Sequence, residues 1–268
     1  MPHPPIILHE VGQGEERKIH TTIDAMEKAV SEIAALKPDT VIITSPHAPA
    51  YYDGFFVAGG KAAFGNLEQF GVPASVLNIE SEYDFKLAEE LKRTFKAAPL
   101  ASPHGESAEL DHASLIPLYF LNRVYKDFKV LRLGLSGLDS KTHYELGQAI
   151  QKAADNLNRR SVFIASGDLS HVLKSDGPYG FQKEGPIFDE KLTGILAVAD
   201  FKALLDFPED LIQKAAQCGI NSFRIMAGAL DGLDVKAEKY AYEGPFGVGY
   251  AVFSFEPGEP NPQRKFLE

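Results

Sequence analysis

The chain contains no tryptophan, three methionines and a single cysteine, Cys218, among 268 residues. One cysteine excludes an internal disulfide framework and points to a reducing, cytoplasmic setting. Long apolar runs are also lacking. Val41-Ile42-Ile43 and the stretch from Leu115 to Leu121, broken by Pro117, fall far short of the roughly 20 residues that cross a bilayer. Met1-Pro2-His3-Pro4-Pro5 has neither the basic start nor the apolar stretch of a secretory signal. Basic residues are outnumbered, 27 against 37 acidic, for a formal charge of −10. No local cluster offsets that repulsion from a phosphate backbone, since Lys92-Arg93 and Arg159-Arg160 fall where helix ends or exposed faces are expected. Neither nucleic acid nor membrane is an expected partner.

What is present is a 44% hydrophobic, 24% charged composition able to bury a substantial core. Ile19, Ile23, Met26, Val30 and Ile33 recur at helical spacing, and Thr40 to Thr44 is a β-branched run stopped by Ser45-Pro46. The alternation continues: strand Ala74 to Ile79, helix Phe85 to Phe95, helix Ser114 to Tyr125, strand Val130 to Leu135, helix Lys141 to Leu157, strand Ser161 to Ala165. Helical periodicity returns over Phe188 to Ala197 and Leu211 to Leu230, with closing strands at Val235 to Tyr242 and Val248 to Phe255. This order predicts a three-layer αβα domain around a mostly parallel or mixed central sheet. With no linker-like segment and no repeat, residues 1–268 read as one domain, with 257–268 a loosely held surface tail.

The eight histidines are the main chemical resource. His47, in Ser45-Pro46-His47-Ala48-Pro49, and His171, in Ser166-Gly167-Asp168-Leu169-Ser170-His171, each lie just beyond the carboxyl end of an expected strand, where open α/β sheets place their ligands. His3 and His112 also fall in segments flanked by turn or helix-start residues. An isolated loop histidine is ordinarily a hydrogen-bonded structural residue; it is the shared placement that singles out this set as a metal or acid/base site. His9 rivals His3, being six residues away. His20 and His143 fall on helices whose apolar stripes use other positions, which reads as solvated, and His104 is undecided. Tyr51, Tyr52, Phe55 and Phe56 follow His47 and suit either the wall of a planar-substrate pocket or the core.

Other signatures fail. Gly134-Leu135-Ser136-Gly137 lacks the spacing of a nucleophile elbow, no phosphate-binding P-loop occurs, and Gly244 to Gly249 has the wrong order for a dinucleotide loop. Cys218 sits near the start of a helical stretch, where a helix dipole would lower its pKa; the alternative is a small buried hydrophobe.

Taken in order, P-H-P-P-I-I, S-P-H-A-P-A-Y, L-D-H-A-S-L-I-P-L-Y-F-L, S-G-D-L-S-H and C-G-I-N-S-F-R-I-M-A-G-A-L resemble the LigB-type class III extradiol ring-cleavage dioxygenases, and within them the branch related to Memo proteins of AmmeMemoRadiSam systems. The resemblance runs from His3 to the Gly244–Tyr250 segment. It implies one non-haem Fe(II), with O₂ and a small catecholic aromatic as substrates. His3 and His47 match the two histidine ligands, His171 the acid/base histidine and His112 a second active-site histidine, with Asp168 placed to orient His171. Where ring-cleaving relatives supply a carboxylate, this chain reads Gln217-Cys218. Cys218 matches a metal-binding cysteine of Memo proteins, and a thiolate favours Zn(II) or copper while permitting iron. The resemblance therefore implies ring cleavage or, alternatively, a Memo-like redox or pathway-partner role; metal-assisted hydrolysis needs only the same residues. A homodimer is the further expectation for an enzyme of this size.

Overall fold

A computed structural model describes residues 1–102 and 109–267; His104 lies outside the described residues. After a short helix α1 (His9–Gly12), helix α2 (His20–Leu36) buries Thr22, Ala25, Met26, Ala29, Val30 and Ile33 along one stripe and ends at Lys37 in the left-handed conformation. Strand β1 (Thr40–Ser45) is buried throughout, as a continuous β-branched run requires when both faces are covered. Strands β2 (Phe55–Phe56), β3 (Ala62–Asn66) and β4 (Asn78–Tyr83) precede helix α3 (Phe85–Thr94). Strand β5 (Leu100–Ala101), helix α4 (His112–Asn122), strand β6 (Lys129–Gly134), helix α5 (Ser140–Asn156) and strand β7 (Ser161–Ala165) follow. Asp84, Asp111 and Asp139 cap α3, α4 and α5, each accepting a backbone N–H three residues on.

The central sheet has five strands in the order β3-β4-β6-β1-β7; only β3 against β4 is antiparallel. Its two faces separate by alternation. Val41 and Ile43 pack with Met26, Val30 and Ile116 on the α2/α4 side, whereas Ile42, Leu131 and Leu133 pack with Leu87, Leu91, Leu146 and Ile225 on the opposite side. A further apolar cluster gathers helices α6 (Glu184–Ala197), α7 (Phe201–Leu205), α8 (Glu209–Lys214) and α9 (Ile220–Ala229) around Phe188, Phe201 and Leu204. The last strands, β8 (Leu233–Glu243) and β9 (Tyr250–Pro260), pair antiparallel with each other and not with the central sheet. The architecture is the expected three-layer α/β arrangement around a mixed sheet.

Three local expectations are corrected. The strand expected from Ala74 begins at Asn78, because Pro73 heads a turn in which its carbonyl accepts from Val76 and Leu77. The helix expected from Leu211 to Leu230 is two helices, α8 and α9, broken around Ala216, whose φ is 49°. The tail is also held more firmly than expected: β9 continues to Pro260, and Phe266 donates its N–H to Asp231 while its ring meets that of Tyr144. Among the described residues no helix is long and apolar enough to cross a membrane.

Candidate metal centre

The carboxyl ends of the adjacent strands β1 and β7 place the site. At the carboxyl end of β1, Ser45 accepts the N–H of His47 at 3.1 Å and donates its own hydroxyl to Asp111 at 2.6 Å. Asp111 is the N-cap of α4, and His112 is the first residue of that helix. The Asp111 carboxylate also accepts from Ser114 and from Arg132 of β6, at 2.9 Å to the guanidinium. Burial alone would raise its pKa, but Arg132, Ser45 and Ser114 reverse the shift and keep it below the usual carboxylate value. One buried anion thus ties β1, β6 and α4 together and sets His47 against His112, their rings stacked at 4.3 Å.

Beyond β7 the chain approaches the break between α8 and α9. A Cβ on Gly167 would collide with the Cα of Gly219, so only glycine lets the two backbones come this close. The contact lets the Asp168 N–H donate to Cys218 Sγ at 3.2 Å, while the Asp168 carboxylate accepts the His3 backbone N–H at 2.9 Å. His3, His47 and Cys218 consequently offer ligand atoms that all lie within 4.8 Å of one another. His3 Nε2 and Cys218 Sγ are 3.8 Å apart, close to the roughly 3.5 Å expected for nitrogen and sulfur on one tetrahedral ion. His112 stands against His3 at a ring separation of 5.5 Å. His171, whose N–H donates to the Ala215 carbonyl, packs against Tyr179 at 5.4 Å.

The hydrogen bonding of His3 fits a ligand. The single proton of the Ser166 hydroxyl goes to the Ala113 carbonyl at 2.7 Å. Ser166 Oγ must then accept at its 2.9 Å contact with His3 Nδ1, which places the imidazole proton on Nδ1 and leaves a bare lone pair on Nε2. Burial, followed by His47, holds His3 well below its usual pKa. Burial, then His3 and His47, lowers His112 to about 4. Burial also lowers His171, against the opposing pull of Asp168. Three imidazoles are therefore neutral near pH 7 and available as ligands or proton acceptors. The Asp168 carboxyl is pushed up by burial.

Of the two readings of Cys218, the one that fails is the lowering of its pKa by a helix dipole. Burial, and then the neighbouring Asp168, push the thiol up, not down. The Asp168 N–H, donating to the sulfur, pulls the other way without overcoming burial. A divalent cation would reverse this balance, since a coordinating thiol is deprotonated by the ion itself.

The remaining candidates separate clearly. His9 pairs with Glu16 on the surface at 2.9 Å, remote in role from the cluster that contains His3. His20 is exposed, but His143 is fully buried, contrary to the solvated reading: its Nδ1–H donates to the Asp139 carbonyl at 2.8 Å and its ring meets Phe55. Phe55 and Phe56 belong to the core, whereas Tyr52 is exposed. Sequence reasoning did not single out Ser166, Ser45, Asp111 or Phe70, whose ring stands edge-on to His112 at 5.3 Å. The aspartate three residues before Ser114 was a legible helix-capping signal.

The family described as the catalytic LigB subunit of aromatic ring-opening dioxygenase matches residues 1–253. The chain belongs to that family. It is 35% identical over 263 residues to Protein CA_C1420 of Clostridium acetobutylicum, covering 96% of this chain and 56% of that protein. It is 29% identical over 156 residues to the 2,3-dihydroxyphenylpropionate/2,3-dihydroxicinnamic acid 1,2-dioxygenase of Escherichia coli, covering 53% of this chain and 46% of the enzyme. The chain thus spans about half the length of the curated relatives it matches. The crystal structure of the uncharacterized protein JW3007 from Escherichia coli K12 shares the fold, with a TM-score of 0.58 at 16% identity over 85% of this chain and 91% of that one.

Proposed function

We propose that this chain is a metal-dependent dioxygenase that opens a catecholic ring with O₂, holding one divalent ion through His3, His47 and Cys218. The observation that carries the reading is the convergence of these three donors, from three separate segments, beside two further imidazoles. When bound, the metal supplies Lewis acidity toward a phenolic oxygen and a path for electrons to O₂. The protein's part is proton transfer and positioning. His171, neutral near pH 7, accepts the phenolic proton, and His112 hydrogen-bonds the substrate or oxygen. Asp168 orders the centre by holding the His3 backbone and the Cys218 sulfur at once. Iron is the expected ion, and the sulfur donor makes zinc or copper the alternatives.

Elemental analysis of anaerobically purified protein, coupled to oxygen uptake with catechol and 3-substituted catechols, tests this reading. Stoichiometric metal in the wild type, its loss in His47→Ala, and catechol-dependent oxygen uptake that His171→Ala abolishes without losing metal are the expected results. Undiminished metal in His47→Ala would sink the site.

Cys218 supports a second reading, a Memo-like redox or pathway-partner protein of AmmeMemoRadiSam type that retains the metal without cleaving rings. Metal that depends on Cys218, with no oxygen uptake on any catechol, is the result that favours it.

A further inference from the structure

Asp189 of α6 is 1% exposed, and no ion pair joins it among the described residues. Two neutral donors reach its carboxylate instead, the Ser170 N–H at 2.8 Å and the Tyr242 hydroxyl at 2.7 Å. Burial pushes its pKa up to about 6 against both of those bonds. A carboxylate in such a place costs stability that an apolar side chain would not.

What Asp189 holds lies one residue from His171. Every polar group of Ser170 is engaged. Its N–H goes to Asp189 and its carbonyl accepts from the Gly249 N–H at 2.8 Å. Its hydroxyl donates to the Ala215 carbonyl at 3.0 Å and accepts the Val172 N–H at 3.2 Å. The His171 N–H then takes the same Ala215 carbonyl at 3.1 Å. The backbone on both sides of the Ser170–His171 peptide is thereby fixed, and with it the point from which the imidazole projects.

The packing around this contact is close. Gly185 and Asp189 stand one turn apart on the same face of α6. A Cβ on Gly185 would strike Ser170 Oγ, and one on Gly249 would strike Asp189 Oδ2. Helix α6 and the start of β9 thus close on Ser170 and on the carboxylate together.

We propose that Asp189 is a positioning residue for His171: through the Ser170 N–H it fixes the backbone that carries the imidazole, and so sets where the acid/base nitrogen stands. The consequence for turnover rests on the ring-opening reading above; the placement of the ring does not.

The test reads the His171 ring directly, as its Cε1–H signal in the histidine-labelled, Zn(II)-supplemented full chain, assigned by its loss in His171→Gln. The buried ring of His143, assigned in the same way, is the control for an intact fold. Asp189→Ala should displace the His171 signal while the His143 signal and the metal stoichiometry stay as in the wild type. Asp189→Val combined with Tyr242→Phe carries the same expectation should Asp189→Ala fail to fold, because it replaces the buried anion and its phenol donor by apolar groups and orphans the Ser170 N–H alone. Asp189→Asn keeps an oxygen for that N–H and should restore the wild-type signal. A His171 signal unmoved in a folded variant that lacks the acceptor overturns the proposal. So does equal displacement in Asp189→Asn, which would make the charge and not the hydrogen bond responsible.

Oxygen uptake with catechol, measured on the same metal-loaded proteins, should show kcat about 10- to 100-fold lower in Asp189→Ala at little-changed KM, with recovery in Asp189→Asn. Lost stability alone would leave the kcat of the folded fraction unchanged. Absence of oxygen uptake in the wild type would overturn the ring-opening reading, while the His171 signal still decides the role of Asp189.

Discussion

The Ser166 hydroxyl donates to the Ala113 carbonyl because Pro117, one turn further along α4, has no N–H to offer it. In an uninterrupted helix the residue four positions on would take that carbonyl. A proline in a helix interior ordinarily costs about 3 kcal/mol. Here it frees an acceptor at the edge of the site, and the consequence passes through Ser166 to His3, whose proton is held on Nδ1 and whose Nε2 faces Cys218.

Ser166→Ala should therefore weaken metal binding by roughly 10- to 100-fold, the range seen when a partner of a ligating histidine is lost. It should also destabilise the fold by about 1–3 kcal/mol, because the Ala113 carbonyl and His3 Nδ1 lose their partner. Adding Pro117→Ala to that variant restores an N–H to the carbonyl. Thermal stability should recover in part in the double variant, since His3 Nδ1 still lacks its partner, while metal affinity stays low. Recovery of both would show that Ser166 acts only through the helix.

Two glycine contacts should separate fold from site. Gly147 of α5 and Gly228 of α9 let those helices touch, since a Cβ at either would strike the other helix's backbone. Gly147→Ala should lower stability by about 1–3 kcal/mol as the helices are forced apart, yet leave metal stoichiometry intact. Gly167→Ala instead pushes directly against Gly219, and should cost metal binding as well as stability because Asp168 and Cys218 flank the contact. Denaturant titration and metal analysis of both variants check the contrast. Equal metal content in the two would mean that the Gly167 approach does not set the position of Cys218.

The elements with strong periodicity were legible: α2 and α5 by their apolar stripes, β1 and β7 by their β-branched runs. The placement of His47 and His171 followed, since it needed only the carboxyl end of a strand. The break at Ala216 was hidden because Leu211 to Leu230 keeps helical spacing across it, while the left-handed backbone there is adopted by an alanine and not a glycine. The status of His143 was hidden for a related reason. Its burial comes from Phe55, far away in sequence, and its polar satisfaction from the Asp139 carbonyl, which no side-chain pattern announces. The Pro117–Ala113–Ser166–His3 connection joins three chain segments, and single residues give no sign of it until the sheet brings them together.

His143 also gives the fold an acid limit. Burial lowers its pKa from 6.5 to about 4, against the opposing hydrogen bond to the Asp139 carbonyl. A group depressed in the folded state contributes stability that is fully present above the unfolded value of 6.5 and is lost as pH falls through the folded value near 4. The shift corresponds to about 3 kcal/mol at most. His143→Gln should flatten the decline of unfolding free energy between pH 6.5 and 4 by an amount up to that size, after correction for its own cost at pH 8. An unchanged pH slope would show that other groups set the acid limit.

On the proposed reading, Cys218 sets which ion the centre prefers. Its sulfur is a soft donor beside two imidazoles, and burial keeps it protonated until an ion displaces the proton. Metal uptake should thus release a proton and strengthen by up to about tenfold per pH unit around neutrality. Cys218→Asp replaces the sulfur with the harder carboxylate that two histidines and an open iron site call for. It should shift the preference from Zn(II) toward Fe(II) in competition titrations and reduce the pH dependence of binding. If ring opening is limited by the missing carboxylate, catechol-dependent oxygen uptake should rise in Cys218→Asp loaded with Fe(II). Uptake lost in that variant and present in the wild type would instead assign the sulfur a working role in turnover.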